Sequence, residues 1–221
     1  MRALVVLDGD PLGTDTWLAK LAKAADVVIA ADGGANALAR AGRRPDLVIG
    51  DMDALSADAQ RELERAGVTL ERYPTEKDQT DGELAVDAAL KKGADEIVVA
   101  GAFGGLRLDH MAGNLMLLAH DDLAAVDVAL VTERATFRSL LGPGILELEG
   151  AAGDWVTLAP LSETVRGVAT DGLRYPLHHE ELRRGSTRGV SNELTGPRGS
   201  VEVGDGLLLV AVTTRRSVAS R

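Results

Sequence analysis

Five short segments of this chain place carboxylates beside glycines or beside a single cation. They are Asp8-Gly9-Asp10, Asp32-Gly33-Gly34-Ala35-Asn36, Gly50-Asp51-Met52-Asp53, Lys77-Asp78-Gln79-Thr80-Asp81 and a glycine-rich run that ends in Arg107-Leu108-Asp109-His110. Two carboxylates one residue apart, as in Asp51 and Asp53, can aim oxygen at one hard cation, and Mg²⁺ favours such ligands together with phosphate and water. Paired glycines, as in Gly33-Gly34, let backbone N–H groups approach an anion at a helix start. Acids mixed with Lys77 suit a metal-bridged polyphosphate, and the Arg107 guanidinium can fork onto a phosphate. Each segment also has a local reading. Asp32 or Asn36 can cap a tight turn, and Asp53 or Ser56 can cap a helix. Thr80 and Glu83 form a T-x-x-E capping box, Asp109 is a plausible N-cap, and a lone His110 is more often structural than basic.

Position decides between these readings. Nearly continuous Val/Ile-rich runs lie at Ala3–Leu7, Val27–Ala31, Leu47–Ile49, Val68–Leu70, Ile97–Ala100 and Val126–Val131. Strands buried on both faces of a parallel sheet read this way. Helical periodicity falls between them, at about 15–25, 34–41, 57–66, 81–92 and 109–120. Strand–helix alternation predicts an open, mostly parallel α/β sheet with flanking helices. Ligands of such sheets bind outside the carboxyl ends of the strands. All five segments follow strands, so the carboxylates converge on one edge, which a merely solvated surface would not select.

The character changes near Gly142-Pro143-Gly144, which reads as a linker. Ile145–Glu149 and Trp155–Leu158 alternate with period two, and Val201–Val203 and Leu207–Val212 flank Gly204-Asp205-Gly206, a hairpin signal. The expected organisation is an α/β domain over 1–141, followed by a small all-β sandwich over 142–221. The sandwich is too small to stand alone and is expected to pack on the first domain or on a second subunit. Arg216–Arg221 is expected to fray. The pair His178-His179 beside Glu180-Glu181 lacks metalloprotease spacing and reads as surface.

Composition narrows the function. The chain has 221 residues, no cysteine and a formal charge of −10, nine of those charges falling in residues 1–141. Thiolate chemistry and disulfides are excluded. An acidic chain matches nucleic acid and anionic membranes poorly, so neither is an expected partner. The longest apolar run, Leu207–Val212, is far short of a membrane span, and Asp8 ends the N-terminal apolar run too early for a secretory signal. The expected location is the cytoplasm. No G-x-x-x-x-G-K-[ST] or G-x-G-x-x-G occurs, which argues against P-loop and classical dinucleotide folds.

The ordered set Asp32-Gly33-Gly34-Ala35-Asn36, Gly50-Asp51-Met52-Asp53, Asp78-Gln79-Thr80-Asp81 and Arg107-Leu108-Asp109-His110 resembles the thiamine pyrophosphokinase family. Gly172–Leu177 and Ser191-Asn192 resemble that family's C-terminal domain, so the likeness covers nearly the whole chain. It implies an α/β domain and a β-sandwich assembled as a homodimer. The reaction implied is transfer of the pyrophosphoryl group of ATP to the hydroxyl of thiamine with Mg²⁺, giving thiamine diphosphate and AMP. By this resemblance Asp51, Asp53 and Asp81 are the metal ligands. Asp32, Gly33, Gly34, Asn36, Asp109 and His110 lie on the nucleotide side. Gln79, Thr80, Tyr175, Ser191 and Asn192 bind thiamine, in a pocket completed by the neighbouring subunit. Three positions depart from the family's pattern. Ala54 stands where Ser is common, one extra residue precedes Arg107, and Tyr175 replaces a frequent Trp while keeping an aromatic face for a cationic ring.

The charges suggest a mechanism. A cation held by the aspartates would neutralise and align the polyphosphate. Lys77 and Arg107 would stabilise charge on transferred and leaving oxygens. Asp78 or Asp81 is the nearest base by motif, although positioning can suffice. Competing readings are a Mg²⁺-dependent transferase or nucleotide hydrolase with a different acceptor, and a non-catalytic ATP-binding sensor.

Overall fold

The computed structural model describes residues 1–105, 107–123 and 126–215, which form two compact units, Met1–Glu133 and Arg134–Arg221. The frayed tail expected at Arg216–Arg221 lies outside the described residues, as does Leu106 before Arg107.

In the first unit strands and helices alternate as the apolar runs predict. The order is β1 (Arg2–Val6), α1 (Asp15–Ala24), β2 (Val27–Ala31), α2 (Gly34–Arg40), β3 (Leu47–Gly50), α3 (Ala57–Arg65), β4 (Thr69–Arg72), α4 (Asp81–Lys91), β5 (Glu96–Ala100), α5 (Leu108–Met116) and β6 (Asp127–Val131). The strands lie in the order β6-β5-β1-β2-β3-β4, and every pairing among them is parallel. Val5 of β1 lies opposite Ile29 on one side and Val99 on the other. The chain thus adds strands outward from β1 in one direction, then returns to add β5 and β6 on the other. The crevice where strand order reverses is where such sheets take ligands.

Period-two geometry sorts the buried residues. Leu4, Val6, Val28, Ala30, Val48 and Val98 share one core with Leu18 of α1 and Leu38 of α2. The intervening Ala3, Val5, Ile29, Ile49, Ile97 and Val99 are equally buried and face the other side, where α4 packs on β1, β2 and β3. Sheet burial on both faces explains why these strands lack alternation. The starts of α3 and α4 follow the capping residues expected of them, whereas α5 starts after Arg107 with no side-chain cap and with Asp109 inside its first turn. Ser56 Oγ accepts from Ala59 N at 3.2 Å and Thr80 Oγ1 accepts from Glu83 N at 3.1 Å. Among the described residues no helix is long and apolar enough to cross a membrane.

The second unit is all β: β7 (Ala135–Leu141), β8 (Gly144–Glu149), β9 (Trp155–Pro160), β10 (Thr164–Asp171), β11 (Glu180–Arg183), β12 (Asn192–Glu193), β13 (Arg198–Val203) and β14 (Leu207–Thr213). Its strands form two antiparallel arrays, β12-β9-β14-β7 and β11-β10-β13-β8. Val156, Leu158, Val165, Val168, Val201 and Leu208, all fully buried, form its core.

Two sequence expectations change here. Val201–Val203 and Leu207–Val212 do not form a hairpin, because β13 pairs with β8 and β10 while β14 pairs with β7 and β9. The glycine turn between them bonds elsewhere: Gly204 N and Asp205 N donate to Arg166 O at 2.9 and 3.1 Å, and Gly142 N donates to Gly206 O at 2.9 Å. The turn is therefore a corner that carries the chain from one array to the other. Gly142-Pro143-Gly144 makes a second such corner, between β7 and β8. The division between the units falls before β7, because all seven residues of that strand pair with β14.

Candidate active site

The loops after β2 and β3 bring three carboxylates together. One ligand oxygen from each of Asp32, Asp51 and Asp53 lies within 4.8 Å of the other two. The backbone makes this possible. Met52 is buried and sits at φ +66, and this left-handed residue lets Asp51 and Asp53 share one side of the turn. Asp53 N donates to Asp51 Oδ1 at 3.3 Å, and Thr75 Oγ1 donates to Asp51 Oδ2 at 2.9 Å. Asp32 itself sits at φ +42, and Asn36 Nδ2 donates to Ala54 O at 3.1 Å, tying α2 to the neighbouring loop. Left-handed non-glycine residues cost about 1 kcal/mol or more each and concentrate at functional sites.

The glycines hold these elements at short range. A Cβ on Gly34 would stand 2.0 Å from Val6 O, and one on Gly33 would stand 1.7 Å from Asp8 Oδ1. A Cβ on Gly50 would meet Asp32 Cβ and Asp81 Cγ, each at 3.1 Å. Asp81 therefore flanks the three-carboxylate group across Gly50, although its oxygens are not part of that group.

Crowding shows in the electrostatics. Asp32 is only 7% exposed, and its Oδ1 makes no hydrogen bond among the described residues. Burial, reinforced by the neighbouring Asp53 charge, pushes its carboxyl up to about 7. Burial and then the charge of Asp53 also raise Asp8, while His110 acts in the opposite sense. The Thr75 hydroxyl holds Asp51 below the usual carboxylate range. One site thus contains a carboxylate tuned down and two tuned up.

The loop before α4 supplies the cation. Lys77 Nζ donates to Pro74 O at 3.1 Å and lies 3.2 Å from Asp81 Oδ1. An ammonium has three N–H groups, so at least one remains for an anion. Asp78 is exposed and makes no hydrogen bond among the described residues. Thr80 is the N-cap of α4. Gln79 Nε2 donates to Glu83 Oε1 and Asp87 Oδ2, each at 3.0 Å. On the far side of β1, Arg107 forks onto Asp109, with Nε to Oδ1 at 3.0 Å and Nη2 to Oδ2 at 2.6 Å. That pair is solvent-exposed, and the guanidinium holds the Asp109 carboxyl well below its ordinary value.

Tyr175, Ser191 and Asn192 lie in the second unit. Asn192 is buried, accepts from Tyr175 N at 3.0 Å and donates to Tyr175 O at 2.8 Å. This closed pair presents the Tyr175 ring outward, 58% exposed. Ser191 sits beside it at φ +63.

The structure adds two residues that sequence reasoning left without a role. Asp8 lies against Gly33 and feels the charges of Asp53 and Asp81, and Thr75 donates to Asp51. Asp8 had a signal, since it follows β1 at the same edge as the other acids. Thr75 had none beyond its place in the loop after β4.

The donor set fits a hard divalent cation. All candidate ligands are carboxylate oxygens, and the buried Asp32 Oδ1 makes no hydrogen bond among the described residues, so it has a lone pair to offer a cation.

Comparison with known proteins covers nearly the whole chain. Residues 18–129 match the family described as "Thiamin pyrophosphokinase, catalytic domain", and residues 145–208 match "Thiamin pyrophosphokinase, vitamin B1 binding domain". A thiamine pyrophosphokinase of Bacillus subtilis (strain 168) is 31% identical over 97% of this chain and 100% of its own length. The crystal structure of thiamine pyrophosphokinase from Bacillus subtilis aligns with a TM-score of 0.82 at 30% identity, covering 97% of this chain and 100% of that one. The thiamin pyrophosphokinase structure from Geobacillus thermodenitrificans aligns at 0.81 and 33% identity, covering 98% and 99%. At 16% identity, the yeast thiamin pyrophosphokinase structure still shares the fold, at 0.77 over 96% of this chain and 86% of that one.

Proposed function

The chain belongs to the thiamine pyrophosphokinase family, and we propose that the acidic edge of its parallel sheet holds the polyphosphate of ATP during transfer to thiamine. The activity is ATP-dependent pyrophosphoryl transfer. The thiamine hydroxyl oxygen attacks the β-phosphorus, the bond from that phosphorus to the bridging oxygen of the α-phosphate breaks, and AMP leaves. Nothing in the comparisons favours a hydrolase, another acceptor or a non-catalytic sensor.

The observation that carries the site assignment is the buried, unpartnered Asp32 Oδ1 beside Asp51 and Asp53. These three residues would hold Mg²⁺, with Asp81 alongside across Gly50. When bound, the ion supplies charge neutralisation for the polyphosphate. The remaining work falls to the chain. Lys77 directs its spare N–H at a phosphate oxygen, and Arg107, already oriented by Asp109, offers its remaining donors on the nucleotide side with His110. Gly33 and Gly34 keep the start of α2 free of side chains, so anionic oxygens can approach, and Asn36 fixes the adjoining loop. Asp78 is free to take the hydroxyl proton, although orientation can supply most of the rate.

Within this reading the first unit binds nucleotide and metal, and the second binds thiamine through Tyr175, Ser191 and Asn192 and carries the dimer contact. Gln79 and Thr80 contribute to the thiamine side. A homodimer through the second unit is supported by large apolar side chains left in water there: Ile145 is 64% and Leu141 50% exposed. We place the reaction in the cytoplasm, where its co-substrate ATP is held.

The test is AMP release from ATP and Mg²⁺, with and without thiamine. Thiamine-dependent AMP with matching thiamine diphosphate supports the reading. AMP or ADP formed without thiamine would replace it with a hydrolase, and ATP binding without turnover would replace it with a sensor.

A further inference from the structure

Gln79 holds its carboxamide in a setting that leaves only one orientation. Its Nε2 donates to Glu83 Oε1 at 3.0 Å and to Asp87 Oδ2 at 3.0 Å. Ionised carboxylates only accept, and a carboxamide nitrogen has two N–H groups. Both donors are therefore used. Turned over, the amide would set its own oxygen against two carboxylate oxygens. Glu83 and Asp87 lie one turn apart on α4, so the bridging amide also offsets the repulsion expected of like charges at that spacing. All three side chains are partly withdrawn from water, which strengthens the bonds and fixes the rotamer. The Gln79 Oε1 makes no hydrogen bond among the described residues and is not enclosed. Toward any ligand, Gln79 can therefore only accept.

We propose that Glu83 and Asp87 are positioning residues that make Gln79 a dedicated acceptor, and that its partner is the exocyclic amino group of the aminopyrimidine of thiamine. This rests on the reading above, in which Gln79 faces thiamine. Thiamine has two kinds of polar donor, that amino group and the side-chain hydroxyl. The hydroxyl must stay at the β-phosphorus, which leaves the amino group for Gln79. The device is one of specificity. An analogue with a carbonyl oxygen in place of the amino group would present an acceptor to an acceptor, and neither group could turn to relieve it. A site built around a hydrogen bond rejects ligands lacking the complementary group far better than an apolar pocket does.

The experiment is steady-state kinetics on the full chain with ATP and Mg²⁺, using thiamine and its 4′-oxo analogue. The wild type is compared with Glu83→Gln, Asp87→Asn and the double variant. The wild type is expected to prefer thiamine about a hundredfold in kcat/KM. In the double variant the amide is free to turn. KM for thiamine should rise about tenfold, the effect should fall on KM rather than kcat, and the preference should shrink to a few-fold. A merely structural role would lower both substrates alike and leave their ratio intact, and an intact ratio overturns the proposal. Should the double variant fail to fold, Asp87→Asn alone carries the same ratio test. A wild type that makes no thiamine-dependent AMP would instead overturn the reading on which the proposal rests, so the two failures are distinguishable.

Discussion

Two buried aspartates, one in each unit, are treated in opposite ways. Asp154 in the second unit is 3% exposed and fully engaged: Ala151 N donates to its Oδ2 at 2.9 Å, and Arg215 N donates to its Oδ1 at 3.0 Å. Asp32 in the first unit is 7% exposed, keeps one oxygen without a partner, and has two further carboxylates within reach. Asp32 and Met52 take left-handed conformations in adjacent loops of the acidic edge. A buried charge that is satisfied belongs to the scaffold, and one left wanting marks where a ligand is expected.

The sharpest way to break this contrast is to neutralise the acidic edge. Asp51→Asn or Asp53→Asn is expected to lower kcat by roughly a thousandfold or more while the circular dichroism spectrum stays native. Near-normal turnover in both variants would remove these residues from the chemistry. The next effect is on stability. The Asp32 carboxyl is held up to about 7 when folded, against about 4 when unfolded, so its ionisation opposes folding. In chelator, that penalty is absent below pH ~4, grows as pH rises, and is complete above ~7. Asp32→Asn should therefore melt higher than wild type at pH 7.5 and about equal to it near pH 4. Added Mg²⁺ should narrow the gap at pH 7.5 by stabilising wild type alone. A gap independent of pH would show that the carboxyl is not strained.

The opposite result is expected in the second unit. Asp154→Ala leaves two backbone N–H groups without their acceptor and should destabilise by about 1–3 kcal/mol. Turnover per folded molecule should hold, measured well below the midpoint of a urea titration. Smallest of all, Thr80→Ala removes a helix cap worth about 1 kcal/mol. A loss of thiamine affinity beyond that would give Thr80 a substrate contact as well as its cap.

Much of the first unit was legible because its physics is local and repetitive. Val27–Ala31 is a strand with the bounds its apolar run suggests, and Ser56 and Thr80 start helices as capping rules require. The converging acids were legible because parallel sheets send every βα loop to one edge. What escaped depended on contacts distant in sequence. Ala135–Leu141 mixes Thr, Arg and Ser with apolar residues, and its pairing with β14, some seventy residues away by number, is what the local pattern does not show. The Gly204–Gly206 turn looks like a hairpin locally, yet its hydrogen bonds go to Arg166 and Gly142. Asp32 was assigned to the nucleotide side, and Asp81 to the metal. The structure adds that Asp32 lies within reach of Asp51 and Asp53, with Asp81 beside them across Gly50, a grouping that the left-handed Asp32 accompanies.

Gly33 and Gly34 are adjacent and look equivalent, yet a saturation library would separate them. At Gly34 any side chain meets the carbonyl of Val6, which cannot withdraw without unravelling β1, so that column should be empty in every genetic background. At Gly33 the nearest obstacle is the far end of the Asp8 side chain. Alanine there is expected to be lethal beside Asp8 and tolerated beside a shorter residue. The tolerance of position 33 is thus inherited from position 8, an epistasis that links the first strand to the second and constrains the order in which the two can change.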